Sequence, residues 1–326
     1  MHLSIPQQTI EEAARVLRSG GLVAFPTETV YGLGADASNP AAVARIFAVK
    51  GRPATHPVIV HLPSIAHLAR WAREVPEAAR RLAKAFWPGP LTLVLKRASG
   101  VSDALTGGQD TVGLRVPSHP VALALLSALA SGDDGRRLIG VAAPSANRFG
   151  RISPTTAAHV RSELGDRIDM ILDGGPCEVG IESTIVDLSG ARPALLRPGR
   201  IGAQDIARVI GTAPEAPGGE APRAPGTLES HYAPQCPLRL VRPEHWDAAL
   251  AAESRRRSVM AFRAPPPGDP SIKWICMALD PQACAHDLYA NLRELDASGC
   301  EVILAEAPPP GPRWEGVRDR LKRAAG

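Results

Sequence analysis

The chain has 326 residues, enough for two domains, and a formal net charge of +4, too small to indicate a nucleic-acid partner by itself. Its five cysteines include no CxxC pair, which excludes a disulfide framework and favours a reduced protein. Without a signal-peptide pattern or a window of eighteen apolar residues, we expect a soluble cytoplasmic protein with no membrane contact.

The first two-thirds of the chain alternates strands and helices. Apolar spacing predicts a helix at 9–19, and Asn39, Pro40 and Gly51 are the capping residues expected of a second helix. Further predicted elements are strands at 22–25, 58–62, 91–96, 111–117, 138–147, 169–175 and 183–188, and helices at 77–85, at 120–130 and after a cap at Ser153. This order predicts an α/β domain with a mixed, twisted sheet and flanking helices.

Residues 212–226 read TAPEAPGGEAPRAPG, and four prolines and three glycines in fifteen positions predict an irregular linker. Beyond it, the predicted elements are strands at 238–241, 258–262, 272–279 and 301–306 and a helix at 281–297. These elements fit a small Rossmann-like α/β domain. We therefore expect one domain at 1–211, a linker at 212–235 and a second domain at 236–326.

Common nucleotide-binding motifs are absent, because there is neither a P-loop nor a GxGxxG after a strand. Lys50 and Arg52 flank the cap glycine of the second helix, where cations also suit the helix dipole. With His56 and His61 at the two ends of the following segment, they favour an anion site. Thr29 follows a buried strand directly, where either turn chemistry or a ligand site is expected.

A second polar cluster lies in APSANRFGRISPTT, which begins at Ala143. Ser145 and Asn147 end a strand, and Ser153 precedes a predicted helix, whose free N–H groups could bind phosphate or could simply be capped. Arg115, near a strand end, is either solvated or paired with a carboxylate. Glu182, Ser183 and Thr184 at a strand entrance, and Arg197 after two leucines, are weak indications singly.

Taken in order, several segments resemble a known family. They are FPTETVYGLG, KGRP, HPVIVH, WPGPLT, DTVGLRVP, APSAN, GIESTIVD and LLRPG. Together they resemble the YrdC-type domain of threonylcarbamoyl-AMP synthases, while APGTLESHYAP and LYANLRELD resemble the linker and C-terminal domain of the family's long form. The resemblance covers nearly the whole chain.

The resemblance implies a nucleotidyltransferase that converts L-threonine, bicarbonate and ATP, with Mg²⁺, into threonylcarbamoyl-AMP, pyrophosphate and water. It implies that the product passes to the machinery that modifies adenosine 37 of tRNAs reading ANN codons, with a weak tRNA contact. It assigns Lys50 and Arg52 to catalysis. The implied threonine ligands are Thr29, His61, Arg115, Ala143 and Ser183. The implied ATP ligands are Arg52, His56, Thr111, Ser145, Asn147, Ser153, Arg197 and Tyr232. His56 stands where relatives often carry Asn.

Two alternatives stay open. Carbamoyl-transfer enzymes of hydrogenase maturation also contain a YrdC-like domain, but they carry acylphosphatase and zinc-finger segments with CxxC pairs, which this chain lacks. A plain RNA-binding module is the other alternative, and the modest net charge and missing RNA-recognition motifs weigh against it.

Overall fold

The structure is a computed structural model that describes residues 5–133, 135, 137–227, 231–267 and 272–326. Thirteen strands in these ranges form one sheet of nine strands and one of four. The strands are β1 (Val23–Phe25), β2 (Gly32–Asp36), β3 (Ile59–His61), β4 (Leu91–Lys96), β5 (Thr111–Arg115), β6 (Val141–Ala142), β7 (Met170–Ile171), β8 (Thr184–Asp187), β9 (Ala194–Arg197), β10 (Leu238–Val241), β11 (Arg257–Ala261), β12 (Lys273–Cys276) and β13 (Val302–Glu306).

The α-helices flank these sheets. They are α1 (Gln7–Arg18), α2 (Pro40–Lys50), α3 (Leu68–Trp71), α4 (Glu77–Phe86), α5 (Asp103–Thr106), α6 (Pro120–Ala130), α7 (Ala157–Leu164), α8 (Ala203–Ile210), α9 (Trp246–Ala252), α10 (Pro281–Asp296) and α11 (Glu315–Ala325). Within the described ranges, every helix is too short or too polar to cross a membrane.

The larger sheet has the strand order β7-β1-β2-β6-β3-β5-β4-β8-β9. The pairs β1–β7, β3–β5 and β4–β8 are parallel, and the other neighbours are antiparallel. The mixed sheet predicted from sequence is therefore confirmed. Because β3 and β5 are parallel neighbours, the register brings His61 opposite Arg115 at their carboxyl ends.

The smaller sheet has the order β10-β13-β11-β12, and all its pairs are parallel. This confirms the Rossmann-like second domain. One buried apolar cluster joins the two domains, because it contains Val30, Ile152 and Ile181 of the first and Tyr289 and Val317 of the second. Helices α10 and α11 thus lie against the first domain.

The predicted caps of α2 are confirmed. The Asn39 side chain accepts hydrogen bonds from Ala41 N and Ala42 N, and Gly51 ends the helix in the left-handed region with a φ of 64°. Because α2 ends there, Lys50 is fixed on its last turn and Arg52 begins the loop that leads to β3.

The predicted cap at Ser153 is wrong. Helix α7 begins at Ala157, and Thr156 caps it by accepting a hydrogen bond from His159 N at 3.2 Å. The hydroxyl of Ser153 instead donates to Glu182 Oε1 at 2.5 Å. A hydrogen bond that a hydroxyl donates to an ionised carboxylate is stronger than one that it accepts from a backbone N–H, so the serine faces inward.

The linker follows the surface of the first domain. Residues 212–227 contain no helix or strand, yet Leu195 N donates to Glu215 O, and Gln109 and Arg223 exchange two hydrogen bonds. Ala224 is buried against an apolar cluster of the larger sheet. Residues 228–230, part of the segment expected to act as a lid, lie outside the described residues, and the domain boundaries stay a prediction.

Candidate active site

A tight polar turn connects β1 to β2. Thr27 Oγ1 accepts hydrogen bonds from Thr29 N and Val30 N, each at 3.2 Å, and donates to Val30 O at 2.6 Å. The turn chemistry that the sequence allows directly after the buried strand is therefore present. It also holds the Thr29 hydroxyl toward the end of β5, so the same geometry serves a ligand site.

Arg115 is buried and points inward. Its Nη1 donates to Thr29 Oγ1 at 3.0 Å and its Nε donates to Gly89 O at 3.2 Å. Its Nη2 lies 2.7 Å from Glu28 Oε1 as an ion pair whose geometry is not that of a hydrogen bond. Arg115 is therefore the paired arginine, fixed by the turn between β1 and β2 and by the loop before β4.

His61 lies beside Arg115 and is 3% exposed. Burial, with a further contribution from Arg115, lowers the pKa of its imidazole to about 3. The ring is therefore neutral at physiological pH, and its Nδ1 has no hydrogen-bond partner. Buried polar atoms are normally satisfied, so an unpaired ring nitrogen indicates a place for a ligand or a water molecule.

Two further arginines face the same space. Arg52 donates from Nη2 to Pro57 O at 2.7 Å, and burial lowers the pKa of its guanidinium to about 10, which keeps it charged. Arg197 donates from Nε to Ser183 O at 3.0 Å and from Nη2 to Ser183 Oγ at 3.1 Å. Three buried arginines create a positive potential suited to phosphate and carboxylate groups.

Lys50 lies behind this space and does not line it. Its ammonium donates to the carbonyl oxygens of Ser145, at 2.6 Å, and Asn147. Burial, followed by the charge of Arg52, holds its pKa well below the usual range. Asn147 is also inside the protein, where its amide nitrogen donates to Arg148 O and Arg151 O. These two residues shape the turn that presents Ser145.

Glu182 is only a weak indication in the sequence, at the entrance of a strand. In the structure it is a central residue of the site. It accepts hydrogen bonds from Ser153, from Tyr289 Oη at 2.9 Å and from Arg320 Nε at 2.8 Å. Burial alone would raise its pKa, but Arg320, with Arg197, lowers the pKa to about 2. Glu182 is therefore an ionised carboxylate in the wall of the cavity.

The end of the linker covers the site. Tyr232 has a φ of 63°, rare for a residue other than glycine, and its buried hydroxyl has no hydrogen-bond partner. Gly226 lies against it, since a Cβ at Gly226 would meet Tyr232 Oη at 2.0 Å. Arg197 Nη1 donates to Pro225 O at 2.9 Å, which ties this segment to β9.

These side chains enclose one small cavity. Its lining is Thr27, Thr29, Val30, Gly32, Arg52, Ile59, His61, Arg115, Ala143, Pro144, Ser145, Glu182, Ser183, Arg197, Pro225, Gly226, His231 and Tyr232. The volume is about 50 Å³. Pockets for drug-sized ligands measure roughly 300–1,000 Å³, so a nucleotide cannot enter while the linker lies in this position.

Five buried lining atoms, counted among the described residues, have no hydrogen-bond partner. They are Arg52 Nε, His61 Nδ1, Arg115 Nη2, His231 Nδ1 and Tyr232 Oη. Such a concentration around one cavity is unusual for a structural core and typical of a binding site whose ligand supplies the missing partners.

Five residues expected at the site do not line this cavity. Lys50, Asn147 and Ser153 are buried behind it, as described above. Thr111 begins β5 and lines a neighbouring small cavity with Ala224 and Pro225. His56 packs its ring edge-on against Phe149, with centroids 5.4 Å apart, and burial, followed by the charge of Arg52, lowers its pKa.

Comparison with known proteins identifies the family. The family model Sua5_yciO_yrdC, described as "Telomere recombination", matches residues 15–199, and the model described as "Threonylcarbamoyl-AMP synthase, C-terminal domain" matches residues 201–326. The chain belongs to the Sua5/YrdC family.

Full-length Sua5/YrdC relatives resemble the whole chain. A threonylcarbamoyl-AMP synthase of Pyrococcus abyssi is 39% identical and covers 99% of this chain and 95% of its own length. A crystal structure described as P. abyssi Sua5 complexed with L-threonine matches with a TM-score of 0.89 at 38% identity, over 98% of this chain and 95% of that one. A putative threonylcarbamoyl-AMP synthase of Mycobacterium tuberculosis is 42% identical but covers 62% of this chain and 89% of its own length.

Sequence reasoning missed three members of this Sua5/YrdC site, namely Glu28, Tyr289 and Arg320. One pattern points to Arg320, because it falls on the apolar face of α11 that Val317 and Leu321 define. A cation at such a position must find a buried partner. Glu28 could have been identified from sequence as an acidic residue in the turn that follows a buried strand. The contacts of Tyr289 could not, because they depend on how the two domains dock.

The described residues offer no protein cage for a metal ion. Within the described ranges, no group of three or more His, Cys, Asp or Glu residues could hold one. Glu182 and Glu28, the two acids nearest the cavity, are both engaged by arginines.

Proposed function

We propose that this chain is an L-threonylcarbamoyladenylate synthase. L-Threonine, bicarbonate and ATP combine to give threonylcarbamoyl-AMP, and pyrophosphate and water are released. The observation that carries the proposal is one cavity lined by three buried arginines and by five buried polar atoms without a hydrogen-bond partner. Family membership over the full length supports it.

Threonine is proposed to bind at the ends of β3 and β5. Thr29, His61, Arg115 and Ser183 provide donors and acceptors for its carboxylate, amine and hydroxyl, and Ala143 provides a backbone contact. The amine must be neutral to attack bicarbonate or its activated form. A buried site with a neutral imidazole and a neighbouring guanidinium lowers the pKa of that amine, because burial and positive charge both disfavour an ammonium.

ATP is proposed to bind on the other side of the cavity. Arg52 and Arg197 offset the charge that builds on the phosphates when the threonine carbamate attacks the α-phosphorus and pyrophosphate leaves. Lys50 is proposed to act through the turn at Ser145 and Asn147 that it holds. The remaining proposed ATP ligands are His56, Thr111, Ser145, Asn147, Ser153 and Tyr232. Catalysis of this kind rests on positioning and electrostatics and needs no protein nucleophile.

Mg²⁺ is proposed to arrive with ATP. It would neutralise phosphate charge while held by phosphate oxygens and water. The roles proposed for the protein's own side chains do not depend on Mg²⁺.

The segment around Gly226 and Tyr232 is proposed to act as a lid. It covers a cavity too small for the substrates, so it must open to admit them, and it is proposed to cover the adenylate afterwards in a wider position than the one seen here. Closure excludes water, which would hydrolyse a carbamate or a mixed anhydride. Transfer of the product to tRNA-modifying enzymes, a weak tRNA contact and a cytoplasmic location are further parts of the proposal.

The test is pyrophosphate release from ATP. We expect release that requires both L-threonine and bicarbonate, with the carbon of labelled bicarbonate recovered in an adenylate. Replacement of exposed Arg208 by alanine is the matched control and should change nothing. Release without threonine would indicate a different ATP-consuming enzyme, and no release would favour an RNA-binding module or a carbamoyl transferase.

A further inference from the structure

Arg320 is a fully buried cation at the boundary between the two domains. It lies on α11, and its Nη1 donates to Pro198 O at 3.0 Å in the first domain. Its Nε donates to Glu182 Oε2 at 2.8 Å and its Nη2 donates to Glu182 O at 3.3 Å. Its guanidinium also lies over the Tyr232 ring, 5.3 Å from the centroid. One side chain of the second domain thus contacts both a cavity wall and the cavity cover.

Tyr289 of α10 completes this contact. Its hydroxyl donates to Glu182 Oε2 at 2.9 Å, and its ring lies 5.7 Å from that of Tyr232. Both carboxylate oxygens of Glu182 are therefore engaged, one by Ser153 and the other by two side chains of the second domain.

Two arginines act on the single carboxylate of Glu182, because both Arg320 and Arg197 lower its pKa. Arg197 is the second, and it instead uses Nε and Nη2 on Ser183 and Nη1 on Pro225. Without Arg320, the buried charge of Glu182 would attract Arg197, the other arginine that lowers its pKa. That movement would break the contacts that hold Ser183 and the linker in place.

We propose that Arg320 and Tyr289 are positioning residues of the active site, which engage Glu182 so that Arg197 stays directed at Ser183 and the anionic substrate. The second domain thereby contributes side chains that complete the site, beyond carrying the linker. The inference rests on the proposed function for the identity of the anion, ATP.

The experiment compares four variants of the full chain. Arg320→Met removes the cation, Glu182→Gln removes the carboxylate, the double variant removes both, and Arg320→Lys keeps the charge without the fork. Lys322→Met, exposed on the same helix, is the matched control. Calorimetry measures ATP affinity, turnover gives kcat and KM, and thermal unfolding reports folding.

We expect Arg320→Met to weaken ATP binding roughly 10- to 100-fold at pH 8, the size of one lost contact between charged groups. Glu182→Gln in the same chain should recover much of this loss, because no buried carboxylate is left to attract Arg197. The ATP affinity of Arg320→Lys should lie between those of Arg320→Met and the double variant. The affinity of Lys322→Met should match that of the wild type.

A pH profile separates positioning from mere support of the fold. Without Arg320, the pKa of Glu182 rises because less opposes the effect of burial, although Arg197 and Ser153 still lower it, so a growing fraction of the carboxylate is neutralised as the pH falls. The binding defect of Arg320→Met should therefore shrink from pH 8 to pH 6, and the double variant should show no such trend. The other groups that face Glu182 are Arg197, Asp319, Tyr289, Tyr232 and His231. His231 has a pKa of about 3 and both tyrosines have raised pKa values, so none of these three titrates in that window.

Several outcomes would overturn the inference. A folded Arg320→Met chain with wild-type ATP affinity would do so, and so would a defect that Glu182→Gln fails to relieve and that does not vary with pH. If the wild type binds ATP but releases no pyrophosphate, the proposed function fails, while the order of ATP affinities still decides the role of Arg320.

Discussion

At the scale of single residues, the site depends on arginines that protein groups already hold in a fixed orientation. Arg115 uses three different groups, supplied by Thr29, Gly89 and Glu28, to fix its plane. Such a guanidinium is oriented before a ligand arrives, which reduces the entropy lost on binding. A lysine has no planar fork and cannot satisfy the same three groups.

Arg115→Lys should therefore weaken threonine binding more than ATP binding. The loss of contacts between charged groups, each worth about 1.5–3 kcal/mol, predicts a roughly tenfold to hundredfold drop in threonine affinity. Calorimetric titration of both ligands measures this, with exposed Arg80→Lys as the control. An equal loss for both ligands would mean that Arg115 supports the fold or the nucleotide site.

Arg52→Ala should abolish adenylate formation while the fold survives. Arg52 makes one hydrogen bond to the backbone, with Pro57 O, and a cation–π contact with Phe149, so its removal costs the folded state little. Its charge is nevertheless directed into the cavity, where the phosphates are proposed to bind. Circular dichroism and pyrophosphate release measure the two effects, and normal turnover in a folded variant would remove Arg52 from the mechanism.

At the scale of elements, the close approach of Gly226 to Tyr232 determines whether the lid can close. Gly226 has a φ of 77°, and an added Cβ would also lie 3.0 Å from Arg197 Nη1. Gly226→Ala should strain the observed covering position by about 1–3 kcal/mol, so that the linker uncovers the cavity more often and is cleaved faster by protease in the absence of ligands. Gly218→Ala, where a Cβ has open space, is the matched control and should be neutral.

Limited proteolysis gives a second readout of the lid. In the wild type, cleavage within residues 212–234 should fall when threonine and ATP are both present, because closure orders the backbone. Gly226→Ala and Tyr232→Ala should lose this protection, and a chain cut after Ile210 should lose most synthase activity. Cleavage that ignores ligands, together with full activity of the truncated chain, would show that the linker is a passive tether.

Elements with clear local patterns were predicted well from sequence. Helix α6 and strand β4 have the predicted bounds, because a proline at the first helical turn and a run of β-branched and leucine residues are local features. Strand β2 was not predicted, because Gly32 and Gly34 are poor strand formers. Phe25 and Ala143 pack closely against these glycines, which the sequence of β2 alone does not reveal. Helices α8, α9 and α11 were missed as well.

The residues of the site likewise include some that the sequence could predict and some that it could not. Residues on strand ends, such as His61 and Arg115, could be grouped because parallel strands bring their ends together. The contacts of Tyr289 and Arg320 with Glu182 could not be predicted, because they depend on the docking of two domains across more than a hundred positions of sequence.

At the scale of the whole molecule, buried neutral histidines make stability depend on pH. His61 and His231 have folded pKa values of about 3, mainly because burial disfavours the charged ring. Unfolded histidine titrates near 6.5, at roughly its model value. Below that pH the unfolded chain binds protons that the folded chain does not, so the free energy of unfolding falls by up to about 1.4 kcal/mol per pH unit for each ring.

We therefore expect stability to be nearly constant above pH 7 and to fall steeply from pH 6.5 to pH 5. Glu182, with a folded pKa of about 2, adds a further loss below its unfolded value near 4.5. Urea unfolding at several pH values measures the slope. His231→Gln should reduce the slope and His245→Gln, which is exposed, should not. A flat profile between pH 7 and pH 5 would contradict this account.

The ion pair between Glu182 and Arg320 has a consequence for how the family can diverge. A buried carboxylate that loses its cation destabilises the fold, so neither residue can change freely while the other remains. A lineage that lost the second domain would lose Arg320 with it, and a relative such as the M. tuberculosis chain aligns with 62% of this one. Such single-domain relatives should carry a neutral residue at the position of Glu182, and two-domain relatives should keep the acid and the arginine together. An alignment sorted by chain length tests this expectation, and acids retained without a substitute cation in short chains would refute it.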